Sequence, residues 1–216
     1  ENTNKLNKAL SRLASGSRLV NASDDAAGMA VALKFDAQIS RNRGVQNNLT
    51  NALSYSQTQD GFLQKVGKAL DRMSELSTLA LDTTKSANDI TNYNTEFTSL
   101  KSYISDIGNK AFNGVSLFNG TALAITKDSD AGTFALNASS LNAVDVTSVI
   151  ASSFTVNTTN AVSSIATAIE NVATHRAKVG ANIQRIQFTQ EQVGILNENL
   201  QASVLSLIHI SEPTRP

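Results

Sequence analysis

At 216 residues, with 41% hydrophobic and 5% aromatic side chains, the chain can close a core, and that core has to be built mostly from Leu, Ile, Val and Ala. Lys and Arg together number 18 and Asp and Glu 18, so no net field recruits nucleic acid or an anionic membrane, and no basic run stands out. Cysteine is absent, which removes disulfides, zinc thiolates and thiol nucleophiles; no apolar run approaches the ~18–20 residues of a membrane span, and Glu1 to Leu10 lack the apolar region of a signal peptide.

In chain order, Leu6, Leu10 and Leu13 mark a partial helix within residues 1–22, loosened at Ser15-Gly16-Ser17. The run Asn21-Ala22-Ser23-Asp24-Asp25 predicts a helix start. Ser23 or Asn21 would cap free N–H groups, and Asp24 and Asp25 would occupy the first turn, where the macrodipole favours negative charge. The two acids do not read as a metal pair, because neighbours on a helix point about 100° apart and a hard cation needs further oxygens.

From Val31, alternating steps of four and three land on Val31, Phe35, Val45, Leu49, Ala52, Leu63, Val66, Leu70, Met73 and Ala80, with polar exceptions at Gln38, Asn42, Ser56, Gln59 and Ser77. A stripe of that period must bury itself against another helix. It predicts one helix from about Asp24 to Asp82, roughly 85–90 Å long. Gly28, Gly44, Gly61 and Gly67 inside it each cost ~1 kcal/mol relative to Ala. Either helices approach closely there, or the glycines sit on an exposed face.

A polar connection follows Leu81, and a shorter stripe runs through Ile90, Tyr93, Phe97, Leu100, Ile104 and Ile107 before Gly108. These helices make up a segment 23–110. Asn113-Gly114 and Asn119-Gly120, each flanked by apolar residues, are hairpin signals that open a small β region over 111–160. Alternation at Phe134-Ala135-Leu136 and Phe154-Thr155-Val156 marks candidate strands within it. The stepping returns over 161–203 through Ile165, Ile169, Val172, Val179, Ile183, Ile186, Val193 and Leu200, interrupted by Arg176, Gln190 and Asn197. The simplest partner for each long stripe is the other. The predicted fold is mainly α, an elongated antiparallel helical bundle forming a coiled-coil rod, with a small β-hairpin region. Residues 204–216 hold both prolines, Pro213 and Pro216, and read as translated sequencing adapter, so they are set aside.

No catalytic set emerges. His175 is the only histidine outside that tail and reads as a solvated side chain beside Arg176; no H-E-x-x-H and no phosphate-cradling Gly loop occurs. Neither enzyme activity nor a cofactor or metal is predicted.

Leu10 to Ala32, LSRLASGSRLVNASDDAAGMAVA, resembles the N-terminal motif of bacterial flagellins. Ala111-Phe112-Asn113-Gly114-Val115 with Leu117, Arg176-Ala177 with Val179-Gly180-Ala181, and Asn197-Glu198-Asn199-Leu200 are similar to further family segments, in the same order. The resemblance implies a filament subunit that in full-length form self-assembles with other flagellin subunits, leaves the cell through the flagellar export apparatus with an export chaperone, carries no cleavable signal peptide and resides in the extracellular flagellum. It also implies further residues before Glu1 and after Ser203 that line the filament tube. A hook–filament junction protein, or another coiled-coil adaptor, is the alternative, but such junction proteins typically carry Pro after the paired acids, where this chain has Ala26-Ala27-Gly28. The family is recognised by Toll-like receptor 5, and its pattern falls on Arg72, Glu75 and Leu76 with Glu96. Arg would offer a planar fork and Leu an apolar anchor. The competing reading makes Leu76 a core-adjacent residue.

Overall fold

The computed structural model describes residues 2–141, 144–151 and 153–208. Helix α1 (Asn2–Ser15) precedes the long α2 (Ala26–Ala80), then come α3 (Ala87–Gly108), strands β1 (Ala111–Phe112), β2 (Val115–Ser116), β3 (Ala124–Thr126) and β4 (Thr133–Ala135), the short α4 (Val144–Ile150) and the long α5 (Ala161–Ile208). The fold is mainly helical with two small antiparallel β elements, β1 pairing with β2 and β3 with β4. Of the tail, the part beyond Ile208 lies outside the described residues.

The chain gathers into two compact units. One holds the described parts of Glu1–Leu49, Thr126–Thr133 and Phe188–Pro216; the other holds Thr50–Ile125 and Phe134–Gln187. In the first, Leu19, Ala32, Ile39, Val45, Leu49, Val193 and Leu200 form the core. Backbone N–H of Arg18 donates to Ile208 O at 2.6 Å, and its guanidinium donates to Leu207 O at 3.1 Å. A cation is favoured there, at the carbonyl end of α5. Ser129, in the β3–β4 connection, accepts on its carbonyl from Arg41 Nε at 3.0 Å.

The core of the second unit holds Leu63, Val66, Leu70, Met73 and Leu76 of α2, Phe97 and Ile104 of α3 and Ile165, Val172, Val179 and Ile186 of α5, all at most 2% exposed. Arg176 of α5 donates to Asp60 of α2 from Nε at 2.9 Å. The β1–β2 turn carries Asn113 at φ 49° and Gly114 at φ 79°, the two left-handed residues a tight hairpin of this twist requires. Asn119-Gly120 does something else. Asn119 bridges Ser140, and Gly120 N donates to Ser139 O at 3.2 Å, so the pair joins a distant segment instead of reversing the chain. Phe154-Thr155-Val156 is likewise no strand; Phe154 turns inward to stack on Phe97 with ring centroids 6.0 Å apart. Helix α4 was not anticipated, and its Val146 and Val149 are fully buried.

The start of α2 corrects the sequence reading. Asp25 itself is the cap: Oδ1 accepts from Gly28 N at 2.9 Å, and its carbonyl accepts from Met29 N at 3.0 Å. Ser23 is exposed, and Asp24 lies before the helix in the preceding turn. A Cβ on Gly28 would lie 2.5 Å from Asp25 Oδ2 and 3.3 Å from Leu19 Cδ1, so this glycine answers a close approach. Gly44, Gly61 and Gly67 meet nothing within 4 Å, which leaves them on open faces. Gly61→Ala should therefore stabilise the chain by about 1 kcal/mol, whereas Gly28→Ala should destabilise it, as read from urea midpoints.

Candidate functional site

Two features of a subunit surface can be built from these elements: a buried seam that fixes the helices, and charged groups displayed above it. The seam of α2 follows the predicted phase from Asn42 onward. Leu49, Leu63, Val66, Leu70 and Met73 are buried, and so are the polar positions Asn42, Ser56, Gln59 and Ser77. At the N-terminal end the phase slips by one residue: Ala32 and Ile39 are buried, Phe35 is half-buried, and Val31 is 42% exposed.

On α5, Val172, Val179, Ile186, Val193 and Leu200 lie inside, but Ile169 and Ile183 are only half-buried. Ala168, His175 and Asn182 take the intervening places. From Ile165, steps of three then four and of four then three are equally legal for a heptad. Hydrophobicity favoured the isoleucines, and packing chose the residues before them. Asn182 is fixed there because its side chain accepts from Asn137 N at 2.9 Å and donates to Asn137 O at 3.2 Å. His175 is thus buried and Arg176 is the exposed neighbour, the reverse of the expectation for that pair.

Polar side chains also dock the β1–β2 hairpin. Gln59 Nε2 donates to Leu117 O at 2.5 Å and Tyr55 Oη donates to Ser116 O at 2.8 Å, while the Tyr55 ring meets Phe112 edge-on at 6.1 Å. Lys101 plays the same part for the segment after α4. It is buried on α3, and its Nζ donates to Ala151 O at 2.7 Å and Phe154 O at 2.6 Å. Burial pushes its ammonium below the ordinary lysine range, and the two carbonyls offset that cost. Lys101 falls one turn from Phe97 and just before Ile104, a position in the apolar stripe that could have flagged it.

The charged group on α2 and α3 is compact. Arg72 donates from Nε to Glu96 Oε1 at 2.7 Å and from Nη2 to Glu96 Oε2 at 3.0 Å, a two-pronged pair, and from Nη1 to Glu75 Oε2 at 2.7 Å. All three side chains are at least 43% exposed. Leu76 is not part of that display, because it is fully buried beneath it. The hydrogen bonds from Arg72 hold Glu96 below its ordinary range, and those to Glu96 and then Glu75 raise Arg72.

A family model described as the bacterial flagellin N-terminal helical region matches residues 1–123. A flagellin of Halalkalibacterium halodurans is 31% identical over 209 residues, which cover 94% of this chain and 77% of the relative. The chain belongs to the bacterial flagellin family. Its members are structural subunits of the flagellar filament. The crystal structure of Bacillus cereus flagellin superimposes with a TM-score of 0.60 at 24% identity, covering 68% of this chain and 88% of that one. A putative flagellar hook-associated protein from Vibrio parahaemolyticus gives a TM-score of 0.74 at 15% identity, covering 86% of this chain and all of its own. At those identities the likeness is one of fold. No helix among the described residues of this flagellin-family chain is long and apolar enough to cross a membrane.

The Arg72–Glu96 geometry has a measurable consequence. Because the Glu96 pKa is depressed in the folded state, its contribution to stability is present above the ordinary value of 4.5 and is lost as pH falls through the lowered one. NMR titration should place Glu96 below 4.5, and Arg72→Ala should return it to the ordinary range.

Proposed function

We propose that this chain serves motility as a filament subunit whose lateral contacts are made mainly by the unit that holds the start of α2 and the end of α5. The observation that carries this reading is the placement of uncovered apolar side chains. Among the described residues up to Ser203, that unit exposes eight large ones: Leu6, Leu10, Leu13, Val31, Leu33, Phe188, Ile195 and Leu196. The other exposes four, Leu79, Leu81, Tyr103 and Val115. An apolar excess of that kind marks a surface meant for a partner. Further copies of the chain are the partner a filament family supplies. Export through the flagellar apparatus with a chaperone, and residence outside the cell, belong to the same reading.

Sedimentation velocity over a concentration series tests it. Phe188→Ser with Ile195→Ser should abolish concentration-dependent self-association, whereas Leu81→Ser with Val115→Ser should leave it intact. Equal behaviour of the two double variants would instead favour the junction-protein or adaptor reading.

Recognition by Toll-like receptor 5 is supported by the exposed, two-pronged Arg72–Glu96 pair, with Glu75 beside it. Leu76 drops out of this proposal as a contact residue, since its substitution would disturb the core. Arg72→Ala with Glu96→Ala should lower activation of receptor-bearing reporter cells with helicity unchanged by circular dichroism. Undiminished activation would remove the receptor proposal.

A further inference from the structure

The acid that precedes α2 does something other than begin a helix. Asp24 is 2% exposed at its side chain, although it stands in a surface turn. Its carboxylate pairs with Lys8 Nζ on Oδ1 and lies 3.6 Å from Arg12 Nη2 on Oδ2, and the latter oxygen accepts from Val20 N at 3.4 Å. Backbone N–H of Asp24 donates to Asn21 O at 2.9 Å and closes the turn that holds the carboxylate in place. One carboxylate thus faces two cations four residues apart, one turn of α1. The neighbouring Asp25 is turned away toward Gly28 and takes no part.

At 3.6 residues per turn, Lys8 and Arg12 fall on the side of α1 roughly opposite Leu6, Leu10 and Leu13. Those leucines are 60%, 54% and 78% exposed, against 48% for the Lys8 side chain and 35% for that of Arg12, so the edge of α1 that meets Asp24 is its charged one and its apolar edge stands in water. For an amphipathic helix that is the inverse of the ordinary arrangement. Arg12 makes the inversion costlier, because its Nε is a buried donor without a hydrogen-bond acceptor. Hydrophobicity alone would roll α1 over.

We propose that Asp24 is an electrostatic latch that holds α1 in this inverted pose, fixing which face of the helix is offered outward. Removal of its charge leaves Lys8 and Arg12 drawn toward water with nothing to retain them, and α1 swings free about Gly16. That glycine sits at φ 66°, a left-handed backbone that glycine adopts without strain, with nothing within 4 Å of a would-be Cβ. The charged groups facing Asp24 are Lys8 and Arg12 of α1, and its own turn adds the backbone N–H of Val20. The Lys8 hydrogen bond is the main cause holding the Asp24 carboxyl below its ordinary value of 3.8. Docking is therefore present above that value and lost as pH falls through the lowered one, so the latch stays shut at neutral pH.

The absence of cysteine permits a clean test. Nitroxide labels on Ala14→Cys in α1 and Ala30→Cys in α2 give an electron–electron distance distribution across the latch. In the otherwise unaltered chain one narrow distance is expected at pH 7, broadening only in strong acid. Asp24→Asn should raise the undocked fraction at pH 7 by roughly tenfold or more, the loss expected for charge-assisted hydrogen bonds, and should abolish the acid response. Asp24→Lys combined with Lys8→Asp and Arg12→Asp should restore the narrow distance, a rescue that a purely steric role for Asp24 would not produce. A distribution unchanged in Asp24→Asn, or no recovery in the charge-exchanged variant while α2 and α5 keep their helicity, would overturn the latch.

Discussion

Apolar side chains repeating every three and four residues along α2 cannot remain in water, and each fully buried Leu, Val, Ile or Met contributes about 1.5–3 kcal/mol. In the unit around Leu63, Val66, Leu70 and Met73 this requirement places α5 alongside α2, with Arg176 reaching Asp60, and sets α3 on the remaining face through Phe97 and Ile104. Once those helices are fixed, the hairpin, α4 and the charged display on α2 and α3 have a surface on which to sit. Each is then held by one or two polar anchors: Gln59 and Tyr55 for the hairpin, and Lys101 for the segment after α4.

The seam is not optimised for stability alone. Asn42, Ser56 and Ser77 recur at one heptad position, are fully buried, and each has a side-chain polar atom without a hydrogen-bond partner. Such atoms cost about 1–3 kcal/mol apiece. Polar groups at seam positions specify register, since sliding the helices would set them against apolar neighbours. A structural subunit gains from this, because its lateral faces meet their neighbours only when the register is right.

Electrostatics acts locally, as neutrality of the chain requires. Arg72 with Glu96 bridges α2 to α3 in plain view, whereas Asp24 works almost wholly buried against Lys8 and Arg12. The first pair is a surface feature a partner can read; the second determines how α1 is carried. Both depend on residues whose neighbours in space are distant in sequence or stand across a turn.

The sequence by itself determined the long helices, the central phase of the α2 seam and the Asn113-Gly114 turn, because periodicity, absence of proline and left-handed turn preference are local properties. Family membership was legible for the same reason, since its motifs are contiguous strings. Tertiary structure decided the rest. Ala168, His175 and Asn182 displaced Ile169, Arg176 and Ile183 from the α5 seam because two adjacent phases share the same period and only packing distinguishes them. Leu76 is buried although Arg72, one turn before it, is exposed and paired across to Glu96 of α3. Asp24 and Asp25, identical in chemistry and adjacent in the chain, became a latch and a cap because one meets α1 and the other meets the first free N–H groups of α2. Pattern states that a residue must be satisfied; only the fold supplies the group that satisfies it.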